Sequence, residues 1–281
     1  MRCSEIIRAL FELAPERYAE EWDNVGLLVG RPDKKVKKIC LAVDATDEVI
    51  EQAHQEGADM LLTHHPMIFH PLKKITSEDF VSRRVVELIR DDISYCAMHT
   101  NFDISCMGKA AAERLGLLDC QVLQPVIEEK GEVECSAPSG GGDHIRYEIE
   151  EKPLVLGYGR VGRLQDSMSL SECADLVRER FSLPGVRVFG KAEESVETIA
   201  ILPGSGGSFV ADAISCDADV LITGDIGHHQ GIDAVMQGIS VIDAGHYGIE
   251  KIFIGFMRHF FSRNFPELSL MSLEDEPFRV Q

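Results

Sequence analysis

The feature that most constrains this chain is a recurring pattern: a short, almost wholly apolar run that stops abruptly at an ionisable side chain. Met60-Leu61-Leu62-Thr63, just after Gly57, runs into His64-His65-Pro66; Ile93 to Met98 runs into His99; Ser240-Val241-Ile242 runs out at Asp243. Runs of this length without polar alternation read as strands buried on both faces, which is what a parallel sheet covered by helices requires. Helical periodicity lies between them. Ser4 precedes Ile6, Ile7, Leu10, Phe11 and Leu13, and Pro15 closes that helix. Thr46 to His54, Val81 to Arg90 and Ala110 to Leu115, the last stopped by Gly116, continue the rhythm, with strands over Asn24–Val29 and Lys38–Val43. This alternation specifies an α/β fold with mostly parallel or mixed sheets.

From about Pro125 to Pro153 the composition becomes polar and glycine-rich, which predicts an exposed excursion around short strands, with His144 a solvated loop residue. A second α/β unit follows, with strands Leu154–Leu164, Val186–Phe189, Thr198–Leu202 and Asp219–Thr223, a helix over Ser171–Phe181 and another from Ser208.

Side chains just beyond the carboxyl ends of parallel strands are where open α/β sheets build their sites. Consecutive strand residues face opposite ways, so His64 and His65 share a pocket only if the strand breaks there, and Pro66 supplies the break. His246 and Glu250 stand four apart at the head of a helix-like run from Tyr247 to Phe261, which places them on one face. Asp103 falls in the loop after His99. Three imidazoles and two carboxylates form a mixed nitrogen and oxygen set that suits Zn, Fe, Mn, Co or Ni rather than Ca or Mg. Five ligands are too few to saturate two ions, so positions remain for water, and Glu250 can bridge divalent metals ~3.5–4 Å apart.

Each piece also has an ordinary reading: a surface His-His pair, a core histidine at 99, a turn carboxylate at 103, an acid offsetting a helix dipole at 250. Coincidence favours the metal, because all three segments sit at predicted strand ends in a chain with ten histidines. Pro203 to Ser208 lies between a strand and a helix, where successive amides can hold a phosphate or simply make a tight glycine turn; it is no Walker loop, since the Lys-Ser/Thr pair is missing. Trp22 is expected to anchor its loop in apolar contacts, with Asp23 or Asn24 capping or lining the cleft.

Composition narrows the function classes. A net charge of −19 excludes a large nucleic-acid footprint, which needs clustered Lys and Arg. No apolar stretch is long enough for a bilayer, and the amphipathic amino end is unlike a signal peptide, so no membrane partner is expected and the cytoplasm is the default location. Eight cysteines without a C-x-x-C pair read as reduced, individually buried thiols.

The chain resembles the GTP cyclohydrolase I type 2 homologue family, the Nif-three-like proteins. The likeness runs through E-E-W22-D23-N24-V-G26, L-L-T-H64-H65-P, P71-L-K-K-I-T, H99-T-N-F-D103, L-P-G-S-G-G-S, L-I-T-G224-D225-I-G-H-H229 and D243-A-G-H246-Y-G-I-E250. It implies that His64, His65, Asp103, His246 and Glu250 bind two divalent transition-metal ions. It also implies a discontinuous organisation, with a metal-binding α/β domain from 1–125 plus 238–281, a second domain over 126–237, and the metals near the junction. A toroidal homohexamer belongs to the same implication. The function that follows is a dinuclear hydrolase using a metal-activated hydroxide, with His99 or His229 moving the proton. Its substrate would be a nucleotide, as in ring opening of GTP, or a small phosphorylated molecule. The competing class is a non-enzymatic metal-binding hexameric scaffold or regulator.

Overall fold

The structure, a computed structural model, describes residues 1–129, 133–136, 148–151 and 154–275. The first part of the chain runs α1 (Cys3–Leu13), β1 (Gly26–Val29), β2 (Lys38–Ala42), α2 (Asp47–Gln55), β3 (Met60–Thr63), α3 (Phe80–Arg90), β4 (Ser94–Ala97), the single turn α4 (Thr100–Phe102) and α5 (Gly108–Leu115). Next come β5 (Leu118–Glu129), β6 (Val133–Ser136), β7 (Glu148–Glu151), β8 (Leu154–Ser169), α6 (Leu170–Arg180), β9 (Arg187–Phe189) and β10 (Ser195–Ser205). The chain ends with α7 (Val210–Ser215), β11 (Val220–Gly224), α8 (His228–Met236), β12 (Ser240–Asp243), α9 (His246–Glu250), α10 (Ile252–Asn264) and β13 (Ser269–Ser272).

Two mixed sheets organise these elements. One has the order β1-β4-β3-β2-β13, parallel throughout except for the β1–β4 pair. The other has the order β5-β8-β10-β11-β12-β9, in which β10, β11 and β12 run parallel and the remaining pairs antiparallel. A continuous apolar core joins them, with Ile6 and Leu10 of α1, Ala111 of α5, Val177 of α6 and Phe253 and Phe261 of α10 packed between the sheets. Separate clusters on the outer faces hold α2 and α3 against the first sheet and α7 and α8 against the second.

Local signals set most boundaries. Thr46, Asp79 and Ser169 each accept a hydrogen bond from an amide of the first helical turn, a cap worth about 1 kcal/mol, and Gly116 ends α5 in the left-handed conformation at φ 84. Several expectations are corrected. The run from Tyr247 to Phe261 is two helices, because at Lys251, with ψ −11, the amide of Ile254 reaches the Lys251 carbonyl and the turn tightens. Pro203 to Ser205 is no loop but the bulged end of β10. Strand β5 begins at Leu118 and β12 pairs with β11, so both belong to the second sheet. The chain therefore enters that sheet at 118 and leaves it after 243, whereas the sequence boundaries were 125 and 238.

In the polar excursion near 127–153, β6 and β7 pair antiparallel; the expectation for His144 lies outside the described residues. Among the described cysteines all are free, but Cys120 is exposed and Cys216 only half-buried, against the expectation that each is buried. No described helix is long and apolar enough to cross a membrane.

Candidate metal centre

The carboxyl ends of the parallel strands of both sheets converge on one point. At the end of β3, the amides of His64 and His65 both donate to the Val43 carbonyl, at 3.1 and 2.9 Å, so the strand stops and two successive side chains turn inward. The turn is clamped from below. Thr63 Oγ1 and the buried Tyr95 hydroxyl donate to the His65 carbonyl, at 2.7 and 3.0 Å, and Tyr95 also accepts from Met67 N. His64 is buried, with its ring 6.2 Å from Phe102 and 5.3 Å from Phe253.

Beyond β4 comes His99, followed by α4. Asp103 is not in a loop: it opens a π-helical turn, Asp103–Met107, between α4 and α5. Such turns interrupt the helical ladder and re-aim a side chain, here toward His64.

The second sheet supplies the remaining donors through α9, which carries His246 and Glu250 one turn apart. Gly204, at φ +87, lies against this carboxylate, and a Cβ there would sit 2.6 Å from Glu250 Oε1. A Cβ on Gly224 would meet His246 N at the same 2.6 Å. These two glycines are therefore clearance for the site; in the segment that suggested a phosphate cradle Gly204 has that role, while Gly206 and Gly207 pack on Thr223 and Gln230.

The four imidazoles share one device. His64 Nδ1 donates to the Met98 carbonyl at 2.8 Å, His65 Nδ1 to Asp44 at 2.8 Å, His99 Nδ1 to Asp23 at 2.9 Å and His246 Nδ1 to Asp225 at 2.8 Å. Each partner is an acceptor only, so the proton of the neutral ring sits on Nδ1 and the Nε2 lone pair faces the interior, the outer bonding that orients metal-bound histidines. Ser205 Oγ donates to Asp225 at 2.8 Å, and Thr100 N to Asp23 at 3.0 Å, fixing the carboxylates in turn.

Inside this ring the donors form two triads that share Glu250. Glu250 Oε2 lies 3.0 Å from both His65 Nε2 and His246 Nε2, which are themselves 3.2 Å apart. On the other side, His64 Nε2 lies 3.4 Å from Asp103 Oδ1 and 3.6 Å from Glu250 Oε1. Ligands at 2.0–2.1 Å from a tetrahedral ion stand about 3.3 Å from one another, so both triads fit a cation of that kind. His64 Nε2 and Asp103 Oδ1 are buried without a hydrogen-bond partner, each at a cost of about 1–3 kcal/mol that a cation would remove. His99 also comes within ligand range of His64 and His65.

Electrostatics point the same way. Burial alone would lower His65 and His246, yet Asp44 and Glu250 raise His65 to about 10, and Glu250 and Asp225 raise His246 to about 9. His64, enclosed by aromatic rings, is held below the usual imidazole range. Burial and the adjacent Glu250 push Asp103 well above the carboxylate range, whereas burial of Glu250 is outweighed by its three imidazoles and it stays well below. The pocket demands positive charge at its centre, and a metal ion meets that demand by replacing protons.

A cleft of about 890 Å³ opens on the His65, His99 and His246 side, with Met67, Phe69, Leu72 and Phe80 in its wall and Arg84 at its rim. Trp22 is not a buried anchor: it is 60% exposed with its ring edge-on to His99 at 5.9 Å. Thus His64, His65, His99, Asp103, His246 and Glu250 are brought together. His229 is not among the convergent donors of the described residues; it sits on the exposed first turn of α8 with its ring against His228. Asp44 was missed altogether, although its place just after an apolar strand is the same signal that marked His64 and His99.

Comparison with known proteins places this geometry in context. Residues 1–277 match the family described as Duf34/NIF3 (NGG1p interacting factor 3). A Clostridium perfringens protein named GTP cyclohydrolase 1 type 2 homolog is 33% identical over 252 residues, covering 89% of this chain and 87% of its own. A Campylobacter jejuni protein of the same name is 28% identical over 279 residues, covering 99% of each. Among solved structures, a Bacillus cereus protein related to NIF3 superposes with a TM-score of 0.84 at 25% identity, over 100% of this chain and 99% of that one.

Proposed function

The chain belongs to the Duf34/NIF3 family, and from that premise we propose that it is a two-ion hydrolase acting on a nucleotide or a small phosphorylated substrate. One observation carries the reading: two buried donor atoms, on His64 and Asp103, lack partners in a ring of imidazoles whose outer nitrogens are all tied to acceptors. His65, His246 and Glu250 Oε2 would hold one ion, and His64, Asp103 and Glu250 Oε1 the other. When bound, two divalent transition-metal ions supply Lewis-acid polarisation of a substrate oxygen and lower the pKa of a water between them.

The chain's own residues do the rest. His99, anchored on Asp23 and standing in the cleft wall, is the group placed to take and return a proton at Nε2. His229, exposed on α8, has no part in that step. The apolar wall from Met67 to Phe80 excludes water and suits a flat or apolar body, while Arg84 in the same lining is already paired with Asp47 at 2.6 Å. The relatives' name points to nucleotide ring opening, and a phosphoester fits the same centre. Assembly into a toroidal homohexamer is part of the proposal and is read by light scattering.

Access favours chemistry over a purely structural or storage role, since three imidazoles line an open cleft. The test is elemental analysis of protein purified without added metal, followed by turnover on nucleotide and phosphoester panels. About two ions per chain are expected, with His65→Ala folded but inactive. Two bound ions without turnover of either class would move the chain to the non-enzymatic scaffold.

A further inference from the structure

Asp243 closes β12 with its side chain 3% exposed, yet it contributes nothing to the donor cluster. Its oxygens are spent on backbone instead. Oδ1 accepts from Gly245 N at 2.9 Å, while Oδ2 accepts from Ile226 N at 3.1 Å and from the Arg187 guanidinium. Arg187, on the edge strand β9, also donates to the Ile226 carbonyl at 2.8 Å. One carboxylate therefore staples the loop that follows β11 to the loop that follows β12.

Those loops carry the two halves of a single interaction. Asp225, on the first, orients the ring of His246, on the second, through the Nδ1 bond of 2.8 Å. Asp225 has φ 55 and Gly245 has φ 73, both left-handed, and each is at or next to an amide that Asp243 holds. Asp adopts that conformation readily, as Asp92, Asp119 and Asp217 also do, so what Asp243 adds is the bond that pins the amide next to Asp225. Gly224 meanwhile packs close against His246 N, so the two loops meet again at the head of α9. The other triad shares Glu250 through α9, but His64 is anchored by Met98 and Asp103 by its π-helical turn, so two of its three donors stand clear of the staple.

We propose that Asp243, braced by Arg187, is a positioning residue that acts chiefly on one ion position, the cleft-facing one formed by His65, His246 and Glu250 Oε2. This rests on the two-ion reading above. Loss of the staple loosens the amides beside Asp225 and His246, which weakens the Nδ1 bond and lets the His246 ring rotate away from the triad; in the inner triad His64 and Asp103 keep their own supports.

The test is titration of cobalt(II) into the metal-free full chain, wild type and Asp243→Asn, followed by calorimetry and by the ligand-field absorption of each bound ion. Wild type should take two ions. In the variant one affinity should fall up to about 10-fold, the low end for changing a ligand's own partner because Asp243 acts one bond further out, with the absorption of that ion altered more than the other's and an unchanged circular dichroism spectrum. Equal weakening of both ions, or of neither, overturns the assignment. Should Asp243→Asn fail to fold, Arg187→Gln on the exposed edge strand carries the test: selective weakening supports the proposal and none refutes it. A wild type that takes fewer than two ions sinks the two-ion reading and this inference with it, an outcome distinct from an indifferent variant.

Discussion

The two donor triads are built from similar chemistry and supported in opposite ways. The inner one, His64 with Asp103 and Glu250 Oε1, is sealed: His64 is fully buried against Phe102 and Phe253, and its Nδ1 is tied to a backbone carbonyl. The outer one, His65 with His246 and Glu250 Oε2, faces the cleft, and both imidazoles lean on carboxylates that are themselves partly exposed, Asp44 and Asp225. A main-chain acceptor inside a packed core cannot move without moving the fold, whereas a surface carboxylate can change rotamer or pair with solvent. The difference teaches that the inner position is set by folding and the outer one by adjustable side chains, which suits a fixed ion beside one that meets substrate.

The largest expected effect is the one that erases the distinction. Glu250→Gln removes the only carboxylate common to both triads, so both ions should be lost, by more than the ~10- to 100-fold typical of an outer partner; retention of either, by elemental analysis, would break the shared-ligand picture. Gly204→Ala should come next. Its Cβ would lie 2.6 Å from Glu250 Oε1 at a φ of +87, which predicts about 1–3 kcal/mol of lost stability in denaturant melts and weaker binding chiefly at the inner ion, the one that Oε1 serves.

The smallest effect spares both ions. Burial would raise the Asp23 carboxyl, but His99 and Thr100 hold it at about 2. A depressed carboxyl contributes stability above its unfolded value and loses it as pH falls through about 2, the folded value. Asp23→Asn should therefore flatten the acid limb of the stability curve by at most about 2 kcal/mol while leaving both cobalt affinities unchanged. An altered inner or outer affinity would mean that His99 is a ligand rather than a proton carrier.

Much of the first sheet was legible because its signals are local. The buried strands at Met60–Thr63 and Ser94–Ala97 lack polar alternation, and Gly116 ends a helix through its own backbone freedom. The break after Thr63 was readable from Pro66, and the pairing of His246 with Glu250 from helical spacing. What failed was non-local. Strand β5 is exposed along much of its length and its apolar residues are interrupted by Asp119, Gln121, Gln124 and Pro125, so no clean pattern announced it. The split at Lys251 and the π-helical turn at Asp103 depend on how α10 and α5 must lie to pack between two sheets. Trp22 looked like an anchor because tryptophan is usually buried, yet it stands exposed at the edge of His99.

The sequence by itself determined the chemistry available: which side chains end which strands, and hence that imidazole and carboxylate would gather at carboxyl ends. Only the tertiary structure decided how they meet. Asp44, Asp23 and Asp225 stand at strand ends or in a cleft-lining motif, but nothing in their neighbours' spacing says that each will face a histidine 21, 76 or 21 residues away. Strand and helix propensities act over a few residues. The partition into a sealed and an open ion position arises from docking two sheets through one core, where excluded volume fixes every donor at once.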